Sequence, residues 1–244
     1  GAGILFDPRS VVPAYALQAA FEEKGIIVEF NTFMKYMGRQ KQEHIRLLLK
    51  EEEVLKEFQQ KYGREPNEDD VTAFYTTFKN QLYPSASKTK EIDGVKDAAY
   101  KLKKAGIPLI MTTGYDRRMV YETIKRLPWL NEVLEYSVTS SDVENGRPSP
   151  SMLYRSMDLM GLEFGDFSYV VNVGDTKVDV ESSDNAVMPG ILVLSGSITD
   201  ETKAEEINRE LGRKHLVVPS LVDVINLILV GKLDESIKEL NTRL

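Results

Sequence analysis

The apolar positions of this chain fall into two regimes. Between residues 30 and 83 they recur at helical spacing and never alternate: Ile45, Leu48 and Leu49 share one face, and Val71, Phe74, Tyr75 and Phe78 share another. The stretch Gly63-Arg64-Glu65-Pro66-Asn67 punctuates this run, and Pro84-Ser85-Ala86-Ser87 reads as a linker that closes it. From Gly94 onward, short apolar runs alternate with amphipathic stretches. Helix is expected over 94–104, strand over 107–111, helix from near Asp116, strand over 136–138 and helix from near Pro150. A strand over 169–173 leads into a helix from Lys177, strands follow at 191–194 and 216–218, and 221–244 carries a last helical pattern. Ahead of the helical region, Gly3-Ile4-Leu5-Phe6 reads as a first buried strand ending at Asp7, followed by a helix over 13–24 that stops at Gly25.

Strand–helix alternation of this kind predicts an α/β fold, a doubly wound and mostly parallel sheet with helices on both faces. The helical block then stands as an insert after the first strand–helix unit. The expected division is a core of residues 1–12 and 88–244 and a helical cap, with its connecting segments, over 13–87.

Composition narrows the functional classes. With 42% hydrophobic and 28% charged residues, the 244-residue chain has the make-up of a soluble globular protein with one large domain, or a core with an insert. Its net charge of −7, with both signs interspersed, argues against nucleic acid as a partner. The absence of cysteine excludes a thiolate nucleophile, a disulfide scaffold and a cysteine-zinc site. No apolar run has the length of a membrane span and the first residues lack a signal-peptide pattern, so no membrane partner and a cytoplasmic location are expected.

Candidate chemistry collects at the carboxyl ends of the predicted strands, where open parallel sheets bind ligands. In Val170–Asp179, a β-branched run ends in Gly174-Asp175 and a second carboxylate, Asp179, follows at a helix start. Two such carboxylates suit a hard cation such as Mg²⁺ beside a substrate phosphate. Asp7, Thr112-Thr113-Gly114-Tyr115 and Arg147 in Gly146-Arg147-Pro148 occupy comparable places. Taken singly, each is an ordinary cap, turn or helix entry. Together they supply what phosphoryl transfer needs, with Asp7 as nucleophile, Arg147 on the phosphoryl oxygens and Asp175 and Asp179 on the metal.

In that order, Asp7, Thr113, Arg147 and Asp175 with Asp179 resemble the motifs of the haloacid dehalogenase superfamily, whose cap is also inserted after the first motif. Met37-Gly38-Arg39-Gln40-Lys41-Gln42-Glu43-His44-Ile45-Arg46 is similar to the cap motif of its phosphonoacetaldehyde hydrolase (phosphonatase) family. Thr112–Tyr115, Gly146-Arg147-Pro148-x-Pro150-x-Met152 and Gly174-Asp175-Thr176-x-x-Asp179 also match that family, over about 4–195.

The resemblance implies a Mg²⁺-dependent hydrolase acting on a small phosphonate or phosphate. Lys41 condenses with an aldehyde and Asp7 takes the phosphoryl group as the carbon–phosphorus bond breaks. His44 relays protons, Met37, Gly114 and Tyr115 contact substrate, and two chains pair through their caps. Lys41 and His44 lie three apart, so they share a helix face, and Met37 lies one turn before Lys41.

The likeness breaks after Asp7. Where the family runs Asp-x-Ala-Gly-Thr, this chain reads Asp7-Pro8-Arg9-Ser10-Val11-Val12-Pro13. Pro8 fixes φ, the motif's glycine is gone, and Arg9 offers only its backbone carbonyl as a metal ligand. Two other readings therefore stand beside the hydrolase: a catalytically impaired relative that binds or regulates, and a phosphate-monoester phosphatase of the same superfamily. The last leaves Lys41 without a task and lacks the usual second aspartate.

Overall fold

The computed structural model describes residues 1–8, 11–85 and 88–242. Helix α1 (Val11–Glu23) opens the helical block and is followed by α2 (Phe30–Met34), α3 (Lys41–Leu48), α4 (Glu52–Tyr62) and α5 (Glu68–Ser85). Local chemistry sets these ends. Gly63 closes α4 in the left-handed region at φ 66°. Asn67 opens α5, its Oδ1 accepting from the backbone nitrogens of Asp69 (3.0 Å) and Asp70 (3.1 Å), with three acidic residues in the first turn.

The α/β part then runs α6 (Val95–Lys104), β1 (Leu109–Thr113), α7 (Arg117–Arg126), α8 (Trp129–Val133), β2 (Leu134–Thr139), α9 (Ser151–Leu159), β3 (Asn172–Gly174), α10 (Lys177–Asn185), β4 (Gly190–Val193), α11 (Glu201–Leu211), β5 (Leu216–Val218), α12 (Leu221–Leu229) and α13 (Leu233–Thr242). Every ladder between these strands is parallel. β1 pairs with β2 up to Thr113 opposite Thr139, while β3, β4 and β5 form a second piece with Gly174 opposite Leu192. The carboxyl ends of β1 and β3 thus deliver Thr113 and Asp175 to the same region. No helix among the described residues is long and apolar enough to cross a membrane.

Three expectations are corrected. Residues 3–6 form a turn, not a strand: the Leu5 nitrogen bonds back to Gly1 O at 2.9 Å and the Gly3 nitrogen to Phe6 O at 2.7 Å. Ile4, Leu5 and Phe6 are nonetheless buried, so the apolar run reported burial without extension. The strand expected over 169–173 is confined to Asn172–Gly174, because Glu163 and Asp166 form a reciprocal cap that winds Phe164–Tyr169 into a 3₁₀ helix. The last helical pattern is two helices, α12 and α13, parted at Gly231 with φ 69°.

One continuous apolar core joins the helical block to the sheet. Phe21, Phe33, Phe58 and Phe74 pack between helices, with the Phe21 and Phe74 rings 4.4 Å apart, and the same cluster reaches Met111 of β1 and Ile191 of β4. Burying each such aromatic contributes on the order of 2–3 kcal/mol. This continuity holds the start of α3 against the strand ends.

Candidate active site

Lys41 opens α3 as its first helical residue, after the loop Met37–Gln40. Its Nζ lies 3.4 Å from His44 Nδ1 and 3.9 Å from Met37 Sδ. Lys41 is 6% exposed, an unusual depth for an ammonium. Burial, with the Arg147 charge adding to it and Asp175 opposing, pulls its pKa down to about 7. His44 is fully buried beside it. Burial and the Lys41 charge hold its imidazole well below the ordinary histidine range, so it is neutral at pH 7, with Nε2 unpartnered among the described residues.

The loop that carries Lys41 rests on three core segments, closely enough that a side chain at any of three glycines would crowd its neighbour. A Cβ at Gly38 would meet the Thr176 hydroxyl and stand 2.7 Å from Val178 Cγ2. One at Gly114 would lie 3.2 Å from Arg39 O, and one at Gly146 would lie 2.9 Å from Gln40 Cβ. Gly38 also has φ +89°, which an L side chain resists. We expect Gly38→Ala to cost on the order of 1–3 kcal/mol and to slow any reaction at Lys41, because the loop must lift. Thermal unfolding and the rate of aldehyde trapping at Lys41 read the two effects.

Opposite Lys41 stands a buried charge cluster. Arg147 Nη1 pairs with Asp179 Oδ1, at side-chain exposures of 10% and 3%. Asp179 Oδ2 accepts from the Thr176 nitrogen (3.0 Å) and hydroxyl (2.5 Å), a capping box that starts α10. Asp175 Oδ2 accepts from the Ser197 nitrogen at 2.8 Å. Burial, offset in part by Asp175, draws the Arg147 pKa down to about 10, and its Nε has no partner among the described residues.

Between the two groups lies a small cavity of about 40 Å³. Met37, Lys41, Thr113, Gly114 and Tyr115 border it. So do Arg147, Asp175 and Asp179, together with Gly1, whose nitrogen donates to Thr112 O at 3.2 Å. Sequence reasoning did not assign a site role to several lining residues, among them Gly1, Thr176 and Ser197. The last was legible as part of Ser195-Gly196-Ser197, a run of small residues directly after a predicted strand.

Asp7 is not among the residues that border the cavity, although it interacts electrostatically with Asp175 and Tyr115, which do. It sits in a turn at φ 54°, 4% exposed, and its Oδ2 accepts from Val12 N at 3.3 Å, at the start of α1. Burial raises its pKa to about 7, against the Val12 hydrogen bond and with help from the Asp175 charge. The unfolded chain releases this proton near 3.8 and the folded one near 7, so ionisation costs stability as pH rises through that window. We therefore expect Asp7→Asn to stabilise the protein by on the order of 2 kcal/mol at pH 8, with the difference vanishing below about pH 4. Urea unfolding across that range checks it. Arg9, whose carbonyl was the further expected metal ligand, lies outside the described residues.

The residues do not form a divalent-cation site as arranged. Among the described residues, no three of His, Asp or Glu gather at a point that could hold a metal ion. Both oxygens of Asp179 are engaged, and the Arg147 guanidinium already supplies the countercharge.

Comparison with known proteins fits this geometry. The family model for haloacid dehalogenase-like hydrolases matches residues 4–193. The chain belongs to that family. Among curated haloacid dehalogenase relatives, it is 32% identical over 209 residues to the phosphonoacetaldehyde hydrolase of Parabacteroides distasonis, covering 85% of this chain and 78% of that protein. It is 31% identical over 222 residues to a bifunctional phosphonoacetaldehyde hydrolase/aminoethylphosphonate transaminase of Clostridioides difficile, covering 89% of this chain but only 35% of that protein. A phosphonoacetaldehyde hydrolase-like protein from Oleispira antarctica superposes with a TM-score of 0.84 at 25% identity, over 95% of this chain and 90% of that one. The haloacid dehalogenase-like α/β fold and membership of a hydrolase family are thereby shown.

Proposed function

We propose that this chain binds a small aldehyde carrying a phosphonate group, such as phosphonoacetaldehyde, and condenses with it at Lys41. One observation carries the reading: a buried lysine whose amine is about half uncharged at pH 7 borders the same cavity as a buried guanidinium. A free amine attacks a carbonyl, whereas an ammonium cannot. His44 Nδ1 lies 3.4 Å from Lys41 Nζ, within hydrogen-bonding reach of the amine, and can help to hold it in place. Arg147, with Nε unpartnered, suits the phosphoryl oxygens. Condensation releases water, and the imine, once protonated, can take up the electron pair of the neighbouring carbon–phosphorus bond; cleavage to acetaldehyde and phosphate then needs water or another nucleophile to accept the phosphoryl group.

No step is assigned to Mg²⁺, and none to Asp7 as nucleophile, since the Asp7 carboxylate accepts from Val12 N at the start of α1 and is not among the residues bordering the cavity. That placement favours a second reading: imine formation and binding are retained, while cleavage is impaired. A phosphate-monoester phosphatase is disfavoured because it gives the buried Lys41 no task.

The test is borohydride reduction with phosphonoacetaldehyde present, followed by peptide mass mapping, with phosphate release measured in parallel. An adduct on Lys41 that needs no added Mg²⁺ supports the proposal. No adduct on a folded protein refutes it, and an adduct without phosphate release selects the impaired relative.

A further inference from the structure

The segment that carries Arg147 has few means of holding itself. It reads Gly146-Arg147-Pro148-Ser149-Pro150, and its two prolines have no backbone N–H to donate. Within it, the Ser149 nitrogen donates to Gly146 O at 3.1 Å. The next two carbonyls are held from outside, by side chains of α10. Asn185 Nδ2 donates to Pro148 O at 2.9 Å, and Ser182 Oγ donates to Ser149 O at 3.0 Å. Ser182 is fully buried, so its hydroxyl needs that acceptor.

Asp179, Ser182 and Asn185 lie three apart and run along one side of α10. The first pairs with the guanidinium of Arg147, and the other two hold the backbone directly after it. One helix therefore grips Arg147 at both ends, at its charged head and at its main chain. The helix is fixed in turn to β3, where Asn172 Nδ2 donates to Asp179 O at 3.1 Å and to Ser183 Oγ at 2.9 Å. An arginine tied only at its head keeps several free torsions behind it. With the backbone tied as well, the guanidinium faces the cavity in one direction, and misplacement of a binding group by about 1 Å can cost on the order of a hundredfold in rate.

We infer that Ser182 and Asn185 are positioning residues for phosphonate recognition: they fix the backbone beside Arg147 and so aim its guanidinium. Neither is among the residues that border the cavity, and so neither would touch the ligand. The inference rests on the role given to Arg147 above.

The experiment compares the wild type with Ser182→Ala, Asn185→Asp and the double variant. Aspartate keeps the shape of asparagine at position 185 and loses the donor. Three quantities are read: the affinity for methylphosphonate by calorimetry, the trapping of acetaldehyde at Lys41 by borohydride, and the Arg147 Nε–H signal by NMR in the ligand-free protein. The double variant is expected to bind methylphosphonate about tenfold more weakly, with a shifted or broadened Arg147 signal. Acetaldehyde carries no phosphonate, so its trapping should stay within about twofold. Ser182→Thr, which keeps the hydroxyl, should restore most of the affinity lost in Ser182→Ala. Unchanged affinity and an unchanged Arg147 signal in the double variant would overturn the inference. Equal losses of methylphosphonate binding and acetaldehyde trapping would overturn it too, in favour of a general structural role. If Ser182→Ala fails to fold, Asn185→Asp at its exposed position decides by the same readings. A wild type that does not bind methylphosphonate refutes the role of Arg147 instead, and the Arg147 signal in the variants then decides whether α10 aims the side chain.

Discussion

Lys41→Met is expected to raise the unfolding free energy by on the order of 3 kcal/mol at pH 8 and to abolish aldehyde trapping. The sign follows from linkage. In the unfolded chain the amine titrates near 10.5, and in the folded protein near 7. Between those values the unfolded state binds the extra proton, so stability falls as pH drops from about 10 to 7 and stays low below that. Methionine has nearly the same reach, carries no charge, and meets Met37 and the apolar side of α3 without a desolvation cost. Urea unfolding at several pH values should show the two proteins converge above about pH 10 and separate towards 7. A destabilised Lys41→Met variant, or a difference independent of pH, would remove the case for a depressed amine. The same amine predicts that trapping by the wild type rises through about pH 7 and then levels off, because only the uncharged fraction attacks. A group that costs stability and gains reactivity from one cause is the usual mark of a functional site.

Removing Arg147 should act in the opposite direction. Arg147→Met strips Asp179 of its countercharge in a place where that carboxylate is 3% exposed. Breaking one half of a buried pair typically costs about 3–5 kcal/mol, since the remaining charge has no water to turn to. Thr176 still donates twice to Oδ2, which places the expected loss towards the lower end of that range. The double variant Arg147→Met/Asp179→Asn should recover most of the stability and none of the phosphonate binding. Chemical unfolding separates the first effect and calorimetry with a phosphonate the second, and the cycle gives the coupling directly. If the single variant unfolds like the wild type, the pair is not the buried countercharge described here. Arg147→Lys should keep part of the stability and lose the two-pronged grip on phosphoryl oxygens.

The strand–helix order after Gly94 was legible because period-two and period-3.6 patterns differ over these lengths, and the capping residues Asp116 and Thr176 sat where helices begin. The grouping of Lys41, Thr113, Arg147, Asp175 and Asp179 was legible for a related reason: strand ends in a parallel sheet converge. The first segment was not. Ile4, Leu5 and Phe6 are buried as a strand would be, yet Gly3 at φ 78° and bonds back to Gly1 fold them into a turn. Burial and extension share one sequence signal in so short a run. This misplaced Asp7, whose assigned role depended on its ending a strand. The electrostatics were equally hidden. Spacing put Asp175 and Asp179 together as metal ligands, but only coordinates reveal that Arg147 already neutralises Asp179. The packed loop buries the Lys41 amine even though its chain neighbours Arg39 and Gln40 are polar.

The three-point seat of the Met37–Gln40 loop gives the cavity a ruler. The residues that grip it, Gly114, Gly146 and Thr176 with Val178, belong to the loops that also position Thr113, Arg147 and Asp179. Lys41 and the guanidinium therefore cannot drift apart independently; they are two pins set in one block. A ligand held at both pins is selected by the number of bonds between its carbonyl carbon and its phosphorus. An added methylene leaves one end unanchored, and a missing one leaves the carbonyl short of the amine. Chain-length discrimination of this kind would come from how the loop seats on its neighbours rather than from any reacting atom, and Gly38 is where it could be loosened.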